Sequence, residues 1–120
     1  MDNTMKAMIV LSLLLNVAVL APVTYGIATR AVWVEASYGG AEPARGILLA
    51  VYLAIFLASL ILLARPVPQA VAVLLSLQIA YKVMTPITVG TLANPVVTAN
   101  LAIAFFHAIT LGLIVLRPQT

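Results

Sequence analysis

Residues 83–116, VMTPITVGTLANPVVTANLAIAFFHAITLGLIVL, decide how this chain is built. The stretch contains no Asp, Glu, Lys or Arg, and His107 is its one ionisable side chain. A helix crossing the hydrocarbon core of a bilayer needs about 20 apolar residues. The stretch is too long for one crossing and holds the end of one helix and the whole of another. It divides at residues 90–95, GTLANP. Asn94 has the side chain that caps a helix N-terminus, and Pro95 suits the first helical position.

Working outward, charges punctuate the rest of the chain. Residues 7–29, 46–64 and 66–81 are free of them, and Lys82 stands alone before the stretch above. The pattern predicts an all-α membrane protein with four transmembrane helices, at about 6–28, 43–64, 68–90 and 95–116. A loop at about 29–42 joins the first two, and the whole forms a single domain. Composition agrees: 64% of the 120 residues are hydrophobic and 8% are charged. A soluble domain carries roughly 25% charged residues and has too little interior to hide so much apolar surface. The first span begins with Lys6 and an apolar run, as a signal peptide does. Ala21 followed by Pro22 is a poor cleavage context, so the span reads as a retained helix.

Four spans place both termini on one side. That side has Lys6, Arg65 and Arg117, against Arg30 and Arg45 opposite, where Glu35 and Glu42 also lie. The positive-inside rule then puts both termini in the cytoplasm, as in a protein of the bacterial inner membrane. Arg30 and Arg45 are expected to pair with Glu35 and Glu42. Trp33 and Tyr38 suit the membrane interface. The scattered net charge of +3 fits helix flanks facing headgroups and excludes a nucleic-acid surface.

The first predicted helix closes with PVTYG at 22–26 and the third with PITVG at 86–90. The shared pattern predicts a tandem repeat of two helical hairpins, related by an axis along the membrane normal. Small residues recur every fourth position at Gly46, Ala50, Ala54 and Ala58, and again at Ala104, Ala108 and Gly112. In lipid such spacing lets helix backbones approach closely, within one bundle or between subunits. A homo-oligomer or a place in a larger membrane complex is expected.

Each span also carries a polar stripe. Gln78, Tyr81, Lys82 and Thr85 fall at helical offsets 0, 3, 4 and 7, so they share one face. Tyr52 pairs with Ser59, Asn100 with His107, and Ser12 with Asn16 in the same manner. Unsatisfied polar groups are costly in hydrocarbon, so these faces should turn inward or toward a partner. At 1.5 Å per residue, Lys82 sits about 12 Å below Gly90 and His107 about 18 Å below Pro95. One outward cluster of Lys82, His107, Asn100, Tyr81 and Tyr52 is expected. Pro86 cannot donate to the carbonyl of Lys82, four residues earlier, so a kink and a free carbonyl are expected beside an ammonium group. Pro22 marks a second kink.

No cysteine, nucleotide-binding loop or zinc signature is present, and Asp2, Glu35 and Glu42 all lie outside the spans. No metal site and no cofactor is implied. The leading expectation is a non-enzymatic membrane subunit in which Lys82 meets an acidic residue, a lipid headgroup or a quinone-like ligand. Its rivals are an oligomeric channel or carrier for an anionic or small polar solute, with His107 adding pH sensitivity, and a subunit of a membrane enzyme with a lipid-soluble substrate.

Overall fold

The computed structural model describes residues 2–116; Arg117 lies outside that range. Five helices follow in order: α1 at Asn3–Ala28, α2 at Val32–Tyr38, α3 at Pro43–Ala64, α4 at Pro68–Val89 and α5 at Pro95–Leu116. All but α2 are long and apolar enough to cross a membrane. The fold is therefore the expected four-span helical bundle, with one short helix added in the first connection.

Local sequence explains the helix ends. The Asp2 carboxylate accepts from the Met5 amide at 2.8 Å and so starts α1 before Lys6. Proline opens α3, α4 and α5 at positions 43, 68 and 95, where its missing N–H leaves no bond unmade. Asn94 Oδ1 accepts from the Val96 amide at 2.8 Å, which is the expected N-cap. Gly90 closes α4 in the left-handed region at φ 89°, with its N–H on the Pro86 carbonyl.

The 29–42 segment is not simply a loop. Val34 of α2 is fully buried, Trp33 lies over Gly26, and Tyr38 meets the Tyr52 ring edge-on at 6.0 Å. Seven residues are too few for a clear helical period in the sequence. Tertiary contacts hold this helix. The expected pairing of Arg30 and Arg45 with Glu35 and Glu42 is also absent among the described residues. Arg45 Nη1 donates instead to the Gly39 carbonyl at 2.9 Å. Glu35 and Glu42 are exposed, whereas the Arg45 side chain is buried and takes the backbone acceptor within its reach.

The tightest packing joins α1 to α3 and α4 to α5, so the bundle is two hairpins side by side. The α1 helix also touches α5, whereas α3 and α4 meet weakly. The two PxTxG segments do not share an environment. Thr24 is buried and donates to the Leu20 carbonyl at 2.6 Å, while Thr88 is exposed. Gly26 lies inside α1, whereas Gly90 terminates α4.

The interior is layered. At the end where α1 begins and α5 ends, Met5, Ile9, Leu13, Val71, Leu75 and Ile114 form an apolar plug. At the opposite end Leu20, Ile27, Val34 and Tyr52 form a second cluster. A polar layer lies between them.

Candidate functional site

All of the polar stripes turn inward. Ser12, Asn16, Tyr52, Ser59, Gln78, Lys82, Asn100 and His107 are buried, and Tyr81 and Thr85 are half-buried. In lipid the inward face is where hydroxyls and amides find partners, and Ser12, Asn16, Ser59 and Gln78 do so here. Asn16 Nδ2 donates to Gln78 Oε1 at 2.8 Å and to Ser59 Oγ at 3.1 Å, while Gln78 Nε2 donates back to Asn16 Oδ1 at 3.1 Å. The Ser12 and Thr110 hydroxyls share a hydrogen bond of 2.7 Å. Thr110 was not singled out from sequence, although it lies three residues beyond His107 and extends the same stripe.

Pro86 leaves the Lys82 carbonyl without its helical donor, yet that carbonyl is not free. Thr85 Oγ1 donates to it at 2.7 Å, and α4 stays helical through Pro86 to Val89. A threonine preceding the proline can reach back to the carbonyl three residues earlier, which repairs the ladder locally. Pro22 likewise sits within the continuous α1.

Lys82 does not reach out to the membrane surface. It is 5% exposed, with Nζ 5.8 Å from the centre of the Tyr81 ring. That contact places a cation over an aromatic face. Among the described residues no carboxylate opposes it, since Glu35 and Glu42 are exposed and Asp2 caps α1 at the other end. His107 lies within electrostatic reach of Lys82 and is fully buried beside the Ser12 backbone, and among the described residues neither ring nitrogen makes a well-formed hydrogen bond.

A cleft lies beside the residues that surround this cation. About 240 Å³ of space is lined by Tyr38, Tyr52, Tyr81, Thr85, Asn94 and Asn100, together with apolar side chains of α3, α4 and α5. A smaller recess shares Tyr38, Tyr52, Tyr81 and Asn100 with the cleft and is also lined by Lys82 and by Val19, Leu20 and Val23 of α1. The recess measures about 20 Å³, room for one water molecule or one ligand oxygen. The cleft exists because α3 and α4 meet weakly, and α2 roofs it through the Tyr38–Tyr52 contact and a 3.0 Å bond from Asn94 Nδ2 to the Ser37 carbonyl. Burial, reinforced by Tyr52, holds the Tyr38 phenol above the ordinary tyrosine range, so it remains a hydrogen-bond donor.

The structure thus brings Lys82, Tyr81, Tyr52 and Asn100 to one recess. It places Gln78 in the amide pair with Asn16, deeper in the bundle. Sequence reasoning gave Tyr38 only an interfacial role, and Ser37 and Asn94 were not seen as cleft residues. No protein-family model, curated protein or solved structure matches this chain. Its chemistry has to be read from its own residues. Among the described residues no group of three metal-ligating side chains comes together.

The small-residue positions divide. Gly46, Ala50 and Ala54 are exposed on α3 and Ala58 is half-buried; on α5, Ala104 is buried, Gly112 half-buried and Ala108 exposed. Helix α3 buries only Arg45, Tyr52 and Ser59.

Proposed function

We propose that this chain is a small non-enzymatic integral membrane protein that holds a lipid-soluble, quinone-like ligand in the cleft between its two hairpins. The observation that carries this reading is Lys82, a buried cation with no carboxylate opposite among the described residues, in a recess lined by three tyrosines, Asn100 and apolar side chains of α1. A buried charge without a partner is costly, and an oxygen-bearing ligand head would offset that cost. Lys82, Asn100 and the tyrosine hydroxyls supply donors, and the rings supply faces against which a planar head can pack. At about 240 Å³ the cleft is smaller than sites for drug-sized ligands, about 300–1,000 Å³. It suits the head of such a ligand, with the tail left in lipid.

The apolar plug weighs against a continuous pore through one chain. Met5, Ile9, Leu13, Val71 and Leu75 are each at most 1% exposed and close the bundle beyond the polar layer. The outward face of α3, with Gly46, Ala50 and Ala54 open to the surroundings, supports assembly with a second copy or a larger membrane complex. Both termini in the cytoplasm of a bacterial inner-membrane protein is the orientation that the basic residues favour.

The test is binding of a short-tailed benzoquinone to the purified chain in detergent, by equilibrium dialysis. Wild-type protein should bind saturably, and Lys82→Met should weaken binding by about tenfold or more, the loss of one charged hydrogen bond. Equal binding by wild type and Lys82→Met, or no saturable binding, would overturn the reading. Crosslinking in native membranes that traps only monomer would overturn the assembly.

A further inference from the structure

A second groove, separate from the cleft, lies where α1 ends and α3 begins. It encloses about 210 Å³ and is lined by Ile27, Arg30, Glu42, Arg45, Gly46 and Leu49, among others. We propose that this groove binds the phosphoethanolamine head group of a membrane lipid.

The position fits a lipid. Arg30 follows the last residues of the first span, and Glu42 and Arg45 flank the opening turn of the second. Ile27 and Leu49 lie farther along the same two helices, toward the membrane interior. The groove is therefore charged at its rim and apolar toward the bilayer, as a lipid head and its first chain carbons require.

The charges lack ionic partners among the described residues. Among the described residues neither arginine forms an ion pair with Glu42 or Glu35. Arg45 is 5% exposed, and its one hydrogen bond, to the Gly39 carbonyl, uses Nη1. A guanidinium has five N–H donors in a fork that matches phosphate oxygens. Arg30 stands at φ 57°, the left-handed cap position that glycine normally fills. The cap itself is well made, with the Ala31 amide on the Gly26 carbonyl at 2.9 Å and the Arg30 amide on the Ile27 carbonyl at 3.2 Å. Placing arginine there carries a backbone cost that glycine would avoid, and the turn delivers its side chain to the groove.

Two arginines and one glutamate sharing a groove without pairing match a head group of both signs. The arginines suit the phosphate, and Glu42 suits the ammonium. Phosphocholine carries the same charges, but its quaternary nitrogen has no N–H to give Glu42. A glycerol head has no cation at all.

Native mass spectrometry of the full chain in detergent, with equal amounts of phosphatidylethanolamine, phosphatidylcholine and phosphatidylglycerol, tests this. Wild-type protein should retain phosphatidylethanolamine over phosphatidylcholine by about fivefold or more, on the scale of one charge-assisted hydrogen bond. Glu42→Gln should erase that preference without lowering phosphatidylglycerol binding. Arg30→Gln and Arg45→Lys should each weaken retention of all three lipids, and Arg30→Gln leaves the Arg45–Gly39 bond intact. Equal retention of the ethanolamine and choline lipids by wild type would overturn the proposal, as would an ethanolamine preference that survives in Glu42→Gln. Displacement by water-soluble glycerophosphoethanolamine as readily as by the lipid would overturn the membrane-lipid assignment in favour of a free phosphoester.

Discussion

The carboxamides of Asn16 and Gln78 exchange two hydrogen bonds, of 2.8 and 3.1 Å, across the centre of the bundle. They join α1 to α4, one helix from each hairpin, at a level where the backbones make little contact. The second proton of Asn16 Nδ2 reaches Ser59 on α3, whose hydroxyl donates to the Ile55 carbonyl at 2.8 Å. One side chain thus fastens three helices.

This arrangement predicts an asymmetry between single and double replacements. Asn16→Leu should destabilise the protein by about 1–2 kcal/mol, since it leaves the Gln78 amide buried and unpaired. Asn16→Leu combined with Gln78→Leu should cost less than the sum of the single changes. Denaturation in mixed micelles, followed by circular dichroism, measures both.

The hydroxyl of Thr85 should be needed for Pro86 to be tolerated. Thr85→Val keeps the shape and strands the Lys82 carbonyl, at a cost of about 1–3 kcal/mol. Thr85→Ser should restore most of that loss. The same denaturation assay on a Pro86→Ala background should show a smaller effect of Thr85→Val, because the helical donor to Lys82 returns.

Gly26 gives Trp33 its seat. A Cβ at this position would collide with the Trp33 ring. Gly26→Ala should displace the indole, shift its emission and loosen α2, with a stability loss of about 1–3 kcal/mol. Trp33 is the chain's one tryptophan, so fluorescence reports on it without further labelling.

Tyr38 links folding to alkaline pH. Burial raises its folded-state value above the ordinary tyrosine figure of about 10. The folded form therefore holds its proton where the unfolded form has lost it. The contribution is fully present below about pH 10 and declines as pH rises above it. Unfolding measured between pH 9 and 11, at the upper end of the ordinary tyrosine range, should show this decline in wild type and less of it in Tyr38→Phe.

Much of the fold was legible because lipid imposes simple rules. Each span must be about 20 residues long and nearly free of charge, and proline and asparagine mark where helices begin. That one-dimensional code located the four spans and the break at 90–95, and the cost of bare polar groups in hydrocarbon turned the stripes inward. The start of α1 was missed because Asp2 caps it from outside the apolar run.

The sequence by itself determined that this is a four-span helical membrane protein with its polar residues on inward faces. Only the tertiary structure decided which of those residues meet. Asn16 and Gln78 pair because α1 and α4 face each other across the bundle, which no helical period encodes. Tyr38 reaches Tyr52 because α2 packs back onto the bundle, and seven residues carry too little pattern to announce that. Thr85 closes the gap that Pro86 opens, a short-range bond that the spacing allowed but could not fix. Partner choice between helices depends on crossing geometry and side-chain reach, and those exist only once the chain has folded.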